Sequence, residues 1–143
     1  MKQNSDQHAN NVRELLWAHG ISVGEYAEKT DLNRVTIIRR ADLLLQMYNV
    51  DEKDFGSENV CEILYGPLRL AENLQYLMEK EGVLMVTLAS AVGVSTRSVR
   101  RWVHGKKRPQ PYHLRQLAEV FGLNPLKLQY GNPENGFEVR GAA

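Results

Sequence analysis

This sequence predicts an all-α fold of two small tandem helical domains, the first a degenerate copy of the second. Three observations carry that reading. Apolar residues recur at helical spacing along the chain, and no β-rich segment competes with them. A length of 143 residues with 43% hydrophobic content suits one ordinary domain or two small helical ones. The halves also repeat each other: Gly20, Tyr26, Ala27, Leu32, Asn33 and Ile37 fall on Gly82, Leu88, Ala89, Val94, Ser95 and Val99 at an offset of 62. Further on, Leu44, Leu45, Tyr48, Asn49, Val50 and Phe55 fall on Leu117, Ala118, Phe121, Gly122, Leu123 and Leu128 at an offset of 73.

Taken in order, residues 1–9 are polar and expected to fray. Asn10 or Asn11 is placed to cap a first helix with Val12, Leu15 and Leu16 on one face, ending near His19 and Gly20. Ser22 caps a second helix over 23–29, and Asn33 caps a third from Arg34. These belong to a first domain spanning 10–55. Residues 56–66 read as a linker helix that Ser57 can cap, with Val60, Ile63 and Leu64 apolar. Pro67 suits the first helical position of the second domain, 67–130. Leu70, Leu74, Leu77 and Met78 then form a core-facing stripe before Gly82. A helix over 112–121 buries Leu114, Leu117, Ala118 and Phe121 and stops at Gly122. Asn124 and Pro125 open a last helix through Leu128, and Gly131, Asn132 and Pro133 break it. In the tail, 131–143, Phe137 and Val139 alternate as in a short arm or strand.

The stretch 82–109, GVLMVTLASAVGVSTRSVRRWVHGKKRP, organises the chain. Leu88, Ala89 and Val92 give a first helix one apolar face, Gly93 supplies the left-handed residue of a sharp turn, and Val94 plugs the angle. Ser95 caps a second helix in which Val99 and Trp102 point one way. Arg97, Arg100, Arg101 and His104 point the other way. An anchored face opposite a cationic one is what entry into a DNA major groove requires. The pattern is a helix-turn-helix.

The run Gly82, Leu88, Ala89, Gly93, Val94, Ser95, Val99, Arg101, Trp102, Gly105, Lys106, Lys107 and Pro109 resembles the phage-repressor and Cro (Xre-type) helix-turn-helix family, over Pro67 to about Tyr130. The resemblance implies two tandem lambda-repressor-like domains, the first degenerate, with a recognition helix over about 95–103. It implies base contacts from Thr96, Arg97, Arg100 and Arg101, since arginine reaches guanine O6 and N7 with two bonds. It also implies phosphate contacts from Ser98 and from Lys106, Lys107 and Arg108 in the following loop. Leu84 and Met85 depart from the family, which there carries a small cap and a phosphate-touching glutamine.

Charge supports the same surface. Net charge is +1, but residues 1–66 hold 7 Lys+Arg against 11 Asp+Glu, and residues 67–143 hold 11 against 6. Every charged residue between Glu81 and Glu119 is basic: Arg97, Arg100, Arg101, Lys106, Lys107, Arg108 and Arg115. Cys61 is the single cysteine and cannot form an internal disulfide, the N-terminus has no apolar leader, and 83–94 is too short to span a bilayer. A soluble, cytoplasmic protein with no membrane contact is expected. His8, His19, His104 and His113 lack metal-ligand spacing, and Glu79 with Glu81 reads as helix-end surface. No nucleophile, acid–base pair or phosphate-cradling glycine loop stands out, so neither catalysis, metal nor cofactor is expected.

The first copy differs in kind. Val35 and Ile38 stand where Arg97 and Arg100 stand in the second copy, Val23 replaces Met85, and the eleven residues missing between the offsets correspond to the basic loop. Val23, Val35 and Ile38 are therefore candidates for a protein interface, with Arg34, Arg39 and Arg40 remaining nearby. The function expected is a sequence-specific transcriptional regulator of phage-repressor type that binds double-stranded DNA as a homodimer. The competing reading is a protein-interaction factor on the same scaffold, a mobile-element inhibitor or adaptor of anti-CRISPR-like kind, able to combine both activities.

Overall fold

The computed structural model describes residues 2–51 and 59–139, with side chains from Gln7 onward. Within them the fold is all-helical: α1 (Lys2–Ala18), α2 (Val23–Thr30), α3 (Arg34–Arg39), α4 (Ala41–Met47), α5 (Val60–Tyr65), α6 (Leu70–Glu81), α7 (Met85–Val92), α8 (Thr96–Val103), α9 (Pro111–Val120) and α10 (Pro125–Tyr130). The Phe137–Val139 alternation makes no strand. A 3-10 turn, Pro133–Asn135, and one antiparallel bridge between Asn132 and Glu138 fold the tail back.

The helix ends carry the repeat into three dimensions. Gly20 and Gly82, Asp31 and Gly93, and Asn49 and Gly122 all adopt positive φ, at 76° and 67°, 59° and 80°, and 56° and 69°. The next residue in each case bonds back to the last turn: Ile21 to Leu16 and Val83 to Met78, Leu32 to Ala27 and Val94 to Ala89, Val50 to Leu45 and Leu123 to Ala118. The first copy makes two of these caps with Asp and Asn, short polar residues that tolerate the left-handed region. Its missing loop is equally plain, since Arg40 alone separates α3 from α4 while residues 104–110 separate α8 from α9.

Two apolar cores result. The second gathers Leu70, Leu74, Leu77, Leu88, Val92, Val99, Trp102, Leu114 and Leu117 from α6 to α9. The first gathers Val12, Leu15, Leu16, Ile37 and Leu44 with Val60, Cys61 and Tyr65. Val60, Cys61 and Tyr65 of the expected linker helix are thus buried in the first core. Asn59 accepts from the Cys61 and Glu62 N–H groups to cap α5, whereas Ser57 and Phe55 lie outside the described residues.

Two further expectations fail, and long-range contacts join the halves. α1 begins at Lys2, and Asn11 caps no helix start of its own. Its buried Oδ1 accepts from Gln7 Nε2 at 3.0 Å and from the Val60 N–H at 3.2 Å, so it caps α5 across the core. α6 begins at Leu70, after Pro67, because the Arg69 N–H donates to the Gln129 carbonyl at 2.7 Å. The halves also share residues: Leu126, Tyr130 and Val139 are buried in the first core, while Trp17 packs against the second.

Candidate nucleic-acid interface

Three elements fix α8. At its start the Ser95 hydroxyl accepts from the Ser98 N–H at 3.2 Å and pairs with the Ser98 hydroxyl at 3.1 Å. Along its inner face Val99, Trp102 and Val103 are buried. At its end Gln75 of α6 donates to the Val103 carbonyl at 2.7 Å. The turn before it needs Gly93, whose N–H bonds the Ala89 carbonyl at 2.8 Å with φ at 80°. Eight residues rise about 12 Å, close to the width of a major groove.

Arg97, Arg100, Arg101 and His104 line the outer face of α8 and are exposed, as are Lys106 and Lys107 beyond its end. Thr96 and Ser98 are half-buried at its start, with Ser98 engaged in the cap. Leu84 begins α7 without a side-chain cap, and Leu84 and Val86 are 67% and 60% exposed.

Residues 74–128 match the helix-turn-helix family. The matched stretch runs from within α6 to within α10, with α7 and α8 as the motif itself, inside the half that carries the sequence resemblance. No family matches the first half. No curated protein and no solved structure matches the chain. The helix-turn-helix match supports a DNA-binding regulator.

Two cations of the basic block are not on this surface. Arg108 points inward: its Nη1 donates to Glu14 Oε2 at 2.6 Å, its Nη2 to Gln129 Oε1 at 2.9 Å, and its guanidinium lies 4.9 Å from the Trp17 ring centroid. That geometry replaces the expected phosphate contact with an ion pair between the halves, its side chains only 22% and 21% exposed. Arg115 donates to Glu25 at 2.6 Å and to the Gly20 carbonyl at 2.6 Å, and the bond holds the Glu25 carboxyl below its usual range. Gly20 is itself a close-approach position, where a Cβ would sit 2.5 Å from Pro125 Cγ.

The apolar trio of the first copy separates. Val23 and Ile38 pack partly against the first core, and Val35 alone stays 63% exposed. Arg34 and Arg39 are exposed on α3, while Arg40 pairs with Asp42 at 3.1 Å. Sequence reasoning missed Glu14, Trp17 and Gln129, whose partners lie across the chain. Trp17, off the Val12–Leu15–Leu16 stripe, was the only visible signal. Among the described residues no cluster of His, Cys, Asp and Glu could hold a metal ion, and no helix is long and apolar enough to cross a membrane.

Proposed function

We propose that the chain is a sequence-specific transcriptional regulator of phage-repressor type, reading operator DNA with α8. Arg97, Arg100 and Arg101, with Thr96, read base edges; Ser98, Lys106 and Lys107 bind phosphates. The observation that carries this is the two-faced α8, its Val99–Trp102–Val103 side buried and its arginine side exposed. Two copies pair on half-sites about one helical turn apart. Val35 of α3 with Leu43 and Met47 of α4, apolar and exposed, is the best candidate for the pairing surface.

A second reading draws on Leu84 and Val86, apolar and exposed at the start of α7 where a repressor meets the DNA backbone. It makes this surface a protein-docking face of an inhibitor or adaptor. Titration against duplex DNA over a salt series separates the two. Affinity falling steeply with salt supports the regulator; no duplex binding, with a protein partner held at high salt, supports the second reading.

A further inference from the structure

Both ends of the basic loop are fixed. At its start the Lys106 N–H donates to the Arg101 carbonyl at 2.8 Å, with Gly105 at φ 69°. At its end Arg108 is held by Glu14 and Gln129, and the Trp17 indole N–H donates to the Pro109 carbonyl at 3.1 Å. Gln129, fully buried, turns its amide to the Trp17 and Ala18 carbonyls at 3.1 Å each, which ties these groups to the end of α1. Lys106 and Lys107 stand exposed between the two anchors.

We propose that the first half of the chain braces this loop: Glu14 and Trp17 are positioning residues that act through Arg108 and Pro109 to hold Lys106 and Lys107 ready for DNA phosphates. The proposal rests on the DNA-binding reading above. A loop ordered before contact does not lose that conformational freedom on binding, so its lysines bind more tightly than the same lysines on a loose loop. The second ion pair between the halves, Glu25 of α2 with Arg115 of α9, involves no residue of the loop and serves as the control.

The test uses the full chain with Glu14→Gln, Trp17→Phe and Glu25→Gln, each titrated against duplex DNA over a salt series. Glu14→Gln and Trp17→Phe are expected to weaken binding several-fold. They should also reduce the slope of log K against log salt by about one for each phosphate that a lysine no longer neutralises. Glu25→Gln leaves the slope unchanged. In a Lys106→Ala/Lys107→Ala background the effect of Glu14→Gln disappears, because the side chains it positions are gone. Equal losses in both backgrounds overturn the brace, as does tighter binding with a steeper slope, which would make Glu14 a competitor that withholds Arg108 from DNA. Amide hydrogen exchange of residues 105–108 in the DNA-free chain gives a readout independent of the ligand. Faster exchange in Glu14→Gln and Trp17→Phe supports the brace, and unchanged exchange in both contradicts it. A parent chain that binds no duplex defeats the DNA-binding reading instead.

Discussion

Arg101 and Trp102 are adjacent in the chain and face opposite ways, Arg101 exposed and Trp102 only 4% exposed. Trp102→Ala should therefore cost about 3–5 kcal/mol of stability, measured by denaturant unfolding. Arg101→Ala should leave stability within about 0.5 kcal/mol and relax base preference at one operator position, at about 1–3 kcal/mol of discrimination. Equal loss on operator and random DNA would leave Arg101 a phosphate contact only. His19 makes a different prediction. Its ring stacks on Tyr48 with centroids 3.9 Å apart and meets the Tyr65 hydroxyl at 3.1 Å, and burial lowers its pKa from 6.5 to about 4. The unfolded ring takes its proton first, so stability present above pH 6.5 is lost as pH falls toward 4, by at most about 3 kcal/mol. His19→Phe should flatten that part of the stability profile. Nothing in the sequence signalled this stack, because Tyr48 and Tyr65 come from distant turns of the chain.

At the scale of elements, what was legible is what is local. The Ser22, Asn33 and Ser95 caps, the Gly93 turn and the Val99–Trp102 face each depend on residues within one or two turns, and each forms as expected. The start of α1, the start of α6 and the packing of α5 depend on bonds such as Asn11 to Val60 and Arg69 to Gln129, which no periodicity encodes. The basic loop shows both sides of this. Its position after α8 was readable, while the inward turn of Arg108 needed Glu14 from the far end of the chain. Lys106→Ala and Lys107→Ala should each weaken all duplexes about equally and lower the salt slope by about one. An unchanged slope would show that the loop does not touch the backbone.

Across the whole molecule, the acidic first half and basic second half meet through Glu14–Arg108 and Glu25–Arg115. Counting charges found the basic block but could not tell which cations face the other half. Because Leu126, Tyr130 and Val139 complete the first core, residues 67–143 alone would expose that apolar surface. The fragment should unfold at lower denaturant than the intact chain and self-associate; matching midpoints and a clean monomer would contradict the shared packing. Val35→Asp should convert a dimer to a monomer with circular dichroism unchanged, whereas unchanged mass would clear this face of a role in pairing. The central proposal, that α8 reads operator DNA, is tested most directly by selecting binding sites from random duplexes with the intact chain, beside an Arg97→Ala/Arg101→Ala variant. Base reading by paired copies gives an enriched motif of two inverted half-sites about one helical turn apart, absent with the variant. Binding without any enriched motif by the folded parent chain would contradict it.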